Sequence, residues 1–257
     1  MSNMPQLLKN TSVVIPCFNE AERLSHLGDL YEILSSRVLE IIFVDDGSSD
    51  GTGLAVFELV EKHKLANSRL ISLGSNRGKG RAIAEGVAAC EGSFVVFMDA
   101  DLATDLDDLT RLVNGLETND VVIGSRTAIG HVVLDGPRHR AVMGRLFNRH
   151  VRRRTGLDFG DTQCGFKAFR SHWARILFQE LRFPGYSFDI EILLRARFLE
   201  LTIAEVPVTW TAVEGSHVRI IRDSIKMIRD VWAISRSDTL GVLNEVSSQR
   251  HMRRPLN

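Results

Sequence analysis

The sequence predicts an α/β fold with a mainly parallel central sheet flanked by helices. Short apolar runs of strand length, rich in β-branched residues, recur through the first half, and longer segments of helical composition lie between them. The chain has 257 residues, of which 44% are hydrophobic and 25% charged, so it can bury one sizeable core. We therefore expect a single domain over 1–236 and a disordered polar tail over 237–257.

The first half alternates strand and helix in a regular order. Strands are predicted at 12–15, 40–44, 69–73, 93–98 and 120–123, with helices at 20–36, 51–64, 80–90 and 105–116 between them. Strands that alternate with helices form right-handed crossovers, and these produce a parallel sheet. Ligands of such sheets bind beyond the carboxyl ends of the strands. The loops that follow the apolar runs are therefore the predicted site.

The second half is less regular and contains two amphipathic segments. A short strand at 164–170, a helix at 187–199 and a strand at 203–210 are predicted there. The segment 137–154 has seven arginines, two histidines and no acid, with apolar residues at helical spacing. It suits an anionic membrane surface, as does the helix predicted at 218–235, although a merely solvated arginine face is the alternative.

Composition excludes several classes of protein. Lys plus Arg equals Asp plus Glu at 32 each, and the basic segment has few aromatics, so we expect no nucleic-acid partner. Three cysteines without a CxxC pair argue against disulfides and favour a cytoplasmic protein. No signal peptide or membrane-spanning run is visible, so any membrane attachment is expected to be peripheral, on the inner face. The oligomeric state is not predicted.

Two loops carry residues suited to phosphate chemistry. Asp99-x-Asp101 follows an apolar run, and two neighbouring carboxylates favour a bound Mg²⁺ or Mn²⁺, although helix capping by Asp101 is the alternative. Gly78-Lys79-Gly80 precedes a helix and can cradle phosphate with backbone amides and the Lys79 ammonium. Its glycine spacing fits neither a Walker A loop nor a dinucleotide fingerprint. An NTPase and a dehydrogenase are therefore disfavoured.

Taken together, the sequences of these loops indicate a protein family more specifically than any single loop does. The order VVIPCFNE, FVDDGSSDGT, SNRGKGRAIAEG, FMDADL and GSR resembles the inverting nucleotide-sugar glycosyltransferases of family 2, which have the GT-A fold. The later segments DTQCGFK and FDIE, then VPVTW, resemble the dolichyl-phosphate β-glucosyltransferases and related polyprenyl-phosphate glycosyltransferases. The resemblance covers about residues 11–232. It implies an inverting transfer of a hexose, with UDP-glucose the favoured donor and a polyprenyl phosphate the acceptor.

The resemblance also assigns residues to the donor. Lys79 matches a position near the pyrophosphate, and Asp99 and Asp101 match the metal-binding pair, with Asp101 the direct ligand. Metal and lysine together would offset the charge on the departing nucleoside diphosphate. The positions that match nucleoside contacts are Pro16, Asn19, Glu20 and Asp45 or Asp46.

The acceptor determines whether a base is needed. A phosphate monoester is already a dianion near neutral pH, whereas a sugar hydroxyl needs general-base help. We predict that Arg126, Arg138 and Arg140 bind the acceptor phosphate. Arg126 matches a family position, whereas the assignment of Arg138 and Arg140 rests on charge clustering. Asp161 is predicted to orient the acceptor site or an arginine, or to act as the base if the acceptor is a hydroxyl.

Several alternatives stay open. Asp189 and Glu191 fit either a helix start or a site, whereas Cys164, Trp210 and Trp232 are assigned to packing. Within the enzyme class, the donor can be GDP-mannose or another nucleotide sugar, and the acceptor a soluble hydroxyl. The alternative from a different class is a non-catalytic module that binds a nucleotide sugar. It is disfavoured because Asp99-x-Asp101 and Lys79 are intact.

Overall fold

Seven strands form the central sheet of the molecule, and four parallel pairings dominate it. The computed structural model describes residues 4–134, 138–212 and 220–236. In the first half the strands are β1 (Thr11–Cys17), β2 (Glu40–Asp45), β3 (Ser68–Ser72), β4 (Phe94–Phe97) and β5 (Val121–Ser125); in the second they are β6 (Val132–Leu134), β7 (Lys167–Arg170), β8 (Ile203–Pro207) and β9 (Thr209–Thr211). The sheet order is β3-β2-β1-β4-β7-β5-β8, with only β7 antiparallel to its neighbours within this sheet. The predicted mainly parallel α/β sheet is confirmed.

Helices cover both faces of the sheet. They are α1 (Met4–Lys9), α2 (Ala21–Leu24), α3 (Gly28–Arg37), α4 (Thr52–Lys62), α5 (Lys79–Ala89), α6 (Asp108–Asn114), α7 (Arg138–Thr155), α8 (Ser171–Leu177), α9 (Phe188–Phe198) and α10 (Ile220–Arg236). Along β1, Val13 and Ile15 pack into one core, and Val14 packs into the other. This alternation of a strand buried on both faces explains its continuous apolar run.

Three predicted elements differ from the observed ones. The helix predicted at 20–36 is two helices, and the second begins at Gly28. A Cβ at this position would lie 2.0 Å from His63 Nε2, so only glycine fits against that ring. The strand predicted at 203–210 divides after Pro207, and β9 leaves the central sheet to pair with β6. The strand predicted at 164–170 forms only over β7, and Lys167 Nζ donates back to the Cys164 carbonyl before it.

Other predictions fall close to the observed bounds or outside the described residues. The predicted amphipathic helix at 137–154 corresponds to α7, and the one at 218–235 corresponds to α10 over its described part. The predicted tail at 237–257 lies outside the described residues.

All three cysteines are free and buried. Over the residues described, none of the helices combines the length and the apolar character that crossing a membrane requires.

Candidate active site

The ends of β1 and β2 meet in a loop built by side-chain-to-backbone hydrogen bonds. Asn19 has a positive φ of 55°, and its backbone N–H donates to Ser48 Oγ at 2.9 Å. Its side-chain oxygen accepts a bond from the Ser49 N–H at 3.0 Å. Asp45, which is buried, accepts from the Ser48 N–H at 3.0 Å and from its hydroxyl, both at Oδ1. The predicted nucleoside residues of these two loops are therefore brought together.

Asp46 ties this loop to the glycine-rich one. Its two carboxylate oxygens accept the backbone N–H groups of Arg77 and Gly78, each at 2.8 Å. Burial raises the pKa of Asp46, although the two backbone donors act in the opposite direction. Of the two adjacent aspartates, Asp46 thus has both oxygens engaged by the Gly78-Lys79-Gly80 loop, whereas Asp45 holds the turn that follows β2.

Both glycines of that loop are required by close packing. Gly78 has a φ of 97°, and a Cβ there would lie 2.6 Å from the Pro184 carbonyl oxygen. The Gly80 N–H donates to the same carbonyl at 2.7 Å, and a Cβ on Gly80 would lie 2.5 Å from Phe188 Cβ. The segment before α9 therefore fixes the N-terminus of α5, where Lys79 lies. The N–H groups of Gly78, Gly80 and Arg81 already have acceptors there, so the Lys79 ammonium is the group at this helix end that suits an anion.

Lys79, Asp99 and Asp101 converge at the carboxyl end of β4. Lys79 Nζ forms an ion pair with Asp99 Oδ1, while Asp101 Oδ1 accepts the Ala103 N–H at 3.1 Å. Burial raises the pKa of Asp101, and the nearby charge of Asp99 raises it further. Burial alone would lower the pKa of Lys79, but Asp99, then Asp189 and Asp101, outweigh it, and the net shift is upward. The cluster is an acidic pair with one fixed cation.

The donor chemistry of this pair fits Mg²⁺ or Mn²⁺. Carboxylate oxygens are the ligands these hard cations prefer, and two protein ligands leave coordination positions for phosphate oxygens and water. The Asp99 side chain is 42% exposed, so it is accessible to a ligand. A different group, Asp29, Glu32 and His63, has ligand atoms within 4.8 Å of one another on the outer face of α3 and after α4. That second group is largely exposed, and its residues lie on different elements from Asp99 and Asp101.

The absence of a side chain at Gly165 leaves the space that the Asp99 carboxylate occupies. A Cβ on Gly165 would lie 2.1 Å from Asp99 Oδ2 and 2.6 Å from its Cγ. Real contacts do not reach such distances, so no other residue fits at this position without displacing the carboxylate. Gly165 belongs to the DTQCGFK segment, and its role was invisible in the sequence because it acts through the absence of a side chain.

Arg126 and Asp161 form a two-point ion pair at the end of β5. Arg126 Nε donates to Asp161 Oδ2 at 2.7 Å and Nη2 donates to Oδ1 at 3.0 Å. Burial would raise the pKa of Asp161, but Arg126 outweighs it and the net shift is downward. The Arg126 guanidinium also lies 5.7 Å from the ring centroid of Trp210. Trp210, which was assigned to packing, thus also carries a cation–π contact.

Asp161 is positioned by Glu205 of β8. The carboxylate of Glu205 accepts the N–H groups of Gly160 and Asp161, each at 2.9 Å. Sequence reasoning missed Glu205 because its partners are backbone amides, which leave no signal in a pattern of residue types. The other two predicted acceptor residues, Arg138 and Arg140, begin α7, and their side chains lie outside the described residues.

Two acidic residues in the first turn of α9 form buried ion pairs. Lys167 Nζ contacts Asp189 Oδ1 at 2.5 Å, and Arg195 Nη2 contacts Glu191 Oε1 at 2.7 Å. Glu191 also accepts the N–H groups of residues 182 and 183, while Arg195 donates to carbonyls of residues 177 and 180. Of the two readings left open for Glu191, the structural one is favoured, since its pair with Arg195 shapes the segment before α9.

The remaining predicted nucleoside positions are at the end of β1. Pro16 lies within β1, opposite Val44 in β2. Glu20 forms an ion pair with Arg23, and its backbone N–H donates to Thr52 Oγ1 at 2.8 Å. Both therefore lie beside the loop that Asn19 and Asp45 build.

This sheet, with an acidic pair, a lysine and a glycine-rich loop at its strand ends, defines the class of GT-A nucleotide-sugar glycosyltransferases. Residues 12–178 match the Glycosyl transferase family 2 model, and the chain belongs to that family. It is 36% identical to the dolichyl-phosphate β-glucosyltransferase of Dictyostelium discoideum, over 90% of this chain and 75% of the relative. It is 34% identical to the dolichyl-phosphate β-glucosyltransferase of Homo sapiens, over 88% of this chain and 75% of the relative.

Solved structures show the same fold. The glucosyl-3-phosphoglycerate synthase of Mycobacterium tuberculosis, in complex with Mn²⁺, UDP and glucosyl-3-phosphoglycerate, aligns with a TM-score of 0.64 at 23% identity. The alignment covers 91% of this chain and 82% of that one. A complex of the same synthase with Mn²⁺ and UDP-glucose also aligns with a TM-score of 0.64. These likenesses establish the GT-A fold.

Proposed function

We propose that the chain transfers glucose from UDP-glucose to a polyprenyl phosphate, with inversion at the anomeric carbon. The observation that carries the proposal is the convergence of Lys79, Asp99 and Asp101 at the end of β4. It occurs in a chain whose relatives, at 36% and 34% identity, are named dolichyl-phosphate β-glucosyltransferases. The neighbouring solved structures that hold UDP and Mn²⁺ support the same class of donor.

The donor is assigned to the loops after β1, β2 and β3. Asn19 and Asp45 build the loop that would receive the nucleoside, and Asp45 is favoured over Asp46 because Asp46 has both oxygens engaged by backbone amides. Pro16 and Glu20 flank this loop. Lys79, at the N-terminus of α5, would bind the diphosphate through the charge of its ammonium group.

Asp99 and Asp101 would hold a divalent cation, Mg²⁺ or Mn²⁺. When bound, such an ion acts as a Lewis acid that stabilises the negative charge of the departing diphosphate. Lys79 would stabilise the same charge from the protein side, and Gly165 leaves room for the Asp99 carboxylate beside it. Asp101 is held by the Ala103 N–H, which fixes the second carboxylate beside the first.

Arg126 would bind the acceptor phosphate, with Asp161 as its positioning partner. A phosphate monoester carries close to two negative charges near neutral pH, so its oxygen attacks without transferring a proton. The attacking oxygen forms a bond to the anomeric carbon as the bond from that carbon to the diphosphate oxygen breaks, and UDP leaves with the electron pair. One displacement inverts the configuration. The lowered pKa of Asp161 suits an orienting carboxylate and opposes its use as a general base.

The acceptor side would face an anionic membrane surface. Large apolar side chains are exposed on and before β6, on α7 and on α10: Ile129, Val132, Val133, Leu134, Val142, Met143, Leu146, Ile228 and Trp232. The helix α7 contacts α10 and contains no acidic residue. An apolar surface bordered by arginines suits the interface of an anionic bilayer. We propose a single catalytic domain over 1–236 that works peripherally at the cytoplasmic face of a membrane, with 237–257 as a tail.

An isotope-transfer assay tests this function. The chain is incubated with radiolabelled UDP-glucose, Mg²⁺ or Mn²⁺ and a short polyprenyl phosphate, with and without EDTA. We expect label in the organic phase that disappears with EDTA and in Asp101→Ala, but persists in Asp29→Asn, an exposed aspartate on α3. Label that stays in the aqueous phase after UDP release would overturn the lipid acceptor. Label transfer that is indifferent to EDTA would overturn the metal.

A further inference from the structure

The short strand β9 lies between the loop that follows the acidic pair and the exposed strand β6. The Thr211 N–H donates to the Ala103 carbonyl at 2.8 Å, and the Thr209 carbonyl accepts the Asp105 N–H at 3.0 Å. Along its other edge, β9 pairs with β6 in a two-stranded parallel sheet. The central residue of β9, Trp210, is therefore next to the donor side of the site and next to the apolar surface.

Trp210 and Val133 share one face of this two-stranded sheet. They are register partners in a parallel pair, and such partners project their side chains to the same side of a sheet. On the same side, the Arg126 guanidinium lies 5.7 Å from the centroid of the Trp210 ring. The Arg126 side chain is 33% exposed, so a phosphate can reach it. A cation, a half-buried aromatic ring and an exposed valine thus follow one another.

The neighbours of Val133 along β6 lie on the opposite face. Successive residues of a strand alternate between the two sides of a sheet, so Val132 and Leu134 project away from Trp210. Val132 and Val133 are nevertheless equally exposed, at 43% each. These two adjacent valines therefore allow a role beside Arg126 to be separated from a role of the apolar surface as a whole.

We infer that the face formed by Trp210 and Val133 binds the first isoprene units of the acceptor, beside the phosphate that Arg126 holds. A polyprenyl phosphate joins an anionic group directly to a branched apolar chain, and this face offers an arginine and then apolar side chains in the same order. Isoprene units that cover Val133 and the ring remove apolar surface from water, which favours binding. The inference rests on the proposed function, since it specifies how that acceptor is recognised.

Two other occupants of this face give different expectations. If Trp210 stacked against the sugar of the donor, substitutions on this face would raise the KM for UDP-glucose. If the face met only the acyl chains of a bilayer, Val132 and Val133 would contribute equally, and neither would matter in an assay without membranes.

The test measures glucosyl transfer to geranyl phosphate, an acceptor with two isoprene units, in solution without vesicles or detergent. The full chain is assayed with UDP-glucose and Mn²⁺, and initial rates give the KM for each substrate. We expect Val133→Asn to raise the KM for geranyl phosphate about tenfold, the effect of losing one valine-sized apolar contact, and to leave the KM for UDP-glucose within about twofold. Val132→Asn should raise the KM for geranyl phosphate at least about fivefold less than Val133→Asn does.

Substitutions of Trp210 test the other half of the face. Trp210→Leu removes the ring and should raise the KM for geranyl phosphate about tenfold or more. Trp210→Phe keeps an aromatic ring beside Arg126 and should raise it less. Because Val133 is exposed, Val133→Asn leaves no cavity in the core, and its result stands even if a Trp210 variant fails to fold.

Equal KM values for geranyl phosphate in Val133→Asn and Val132→Asn would overturn the inference, and so would a KM for UDP-glucose that rises as much in Val133→Asn. A wild-type chain that glucosylates longer polyprenyl phosphates but not geranyl phosphate would also overturn it, because recognition would then lie beyond the first isoprene units. All three results leave the proposed function standing. A wild-type chain that glucosylates no polyprenyl phosphate of any length would overturn the proposed function itself.

Discussion

Arg126 and Asp161 face each other along one edge of the guanidinium, since Nε donates to Oδ2 at 2.7 Å and Nη2 donates to Oδ1 at 3.0 Å. The Arg126 backbone N–H adds a third bond, to Oδ2 at 3.1 Å. Asp161 is thus fully committed to one arginine, and Glu205 holds the backbone on which Asp161 lies. A carboxylate so engaged orients its arginine more readily than it accepts a proton.

The pair makes stability depend on pH in a defined direction. The pKa of Asp161 is lowered in the folded state, so its stabilising effect is present above the ordinary aspartate pKa and is lost as pH falls through the lower folded value. We expect Asp161→Asn to reduce the free energy of unfolding by about 1–3 kcal/mol near neutral pH. Urea unfolding at about pH 7 and about pH 3 should show this difference shrinking in acid.

The matched control is Asp158→Asn, an exposed aspartate paired with Arg152 at the surface. It should change the unfolding free energy by less than about 1 kcal/mol. A difference between wild type and Asp161→Asn that stays constant across this pH range would contradict the assigned ion pair.

Gly165→Ala should displace Asp99 without unfolding the protein. The new methyl group would overlap Asp99 Oδ2 at 2.1 Å, and the carboxylate is partly exposed and can move away. Because a displaced ligand holds a cation poorly, we expect Mn²⁺ affinity to fall by about tenfold or more. Titration calorimetry with Mn²⁺ measures this. Gly74→Ala, which meets no atom within 4 Å, is the control and should bind Mn²⁺ normally. Equal affinities in both variants would remove Asp99 from the metal site.

Substitutions of Asp46 and of Asp45 should weaken nucleotide binding in two different ways. Asp46→Asn replaces an acceptor of two backbone amides with a group that carries only one acceptor oxygen, so the Gly78-Lys79-Gly80 loop should shift. We expect it to weaken UDP binding about tenfold while sparing UMP. Asp45→Asn should weaken both nucleotides equally. Calorimetry with the two ligands checks this, and the reverse pattern would exchange the roles of the two aspartates.

The apolar and basic surface should bind anionic vesicles. We expect Ile129→Asp/Leu134→Asp to reduce co-sedimentation with vesicles that contain phosphatidylserine, because both side chains are exposed before and within β6. High salt should reduce binding of the wild type as well. The control is Leu54→Asp/Phe57→Asp, since these two residues are also apolar and exposed but lie on α4. An equal loss in both double variants would show that binding is unspecific.

Much of the fold was predictable because buried strands and amphipathic helices leave periodic signals. Strand β2 is buried along its whole length, and its continuous apolar run was visible in the sequence. The break at Pro207 was not, since it depends on β9 finding β6 as a partner from a distant part of the chain. Sequence patterns report local periodicity, and such a pairing is not local.

The parts of the site that consist of charged side chains after strands could be predicted from the sequence. The parts that depend on backbone groups or on the absence of a side chain could not. Lys79 and Asp99 were found from their positions, and they form an ion pair. Gly165 and the Pro184 carbonyl act through shape and backbone, which no residue pattern reveals. The Glu191–Arg195 pair did leave a signal, because its i,i+4 spacing on a predicted helix is that of an ion pair.

The most direct test of the central claim is a competition between two acceptors for labelled glucose. The chain is given radiolabelled UDP-glucose and Mn²⁺ with equal amounts of a short polyprenyl phosphate and of 3-phosphoglycerate, whose glucosylated form the structurally similar synthase binds. We expect the label to enter the organic phase as a lipid phosphodiester that mild acid releases as glucose. Label found instead in glucosyl-phosphoglycerate, with none in lipid, would contradict the assignment of a polyprenyl phosphate as the acceptor.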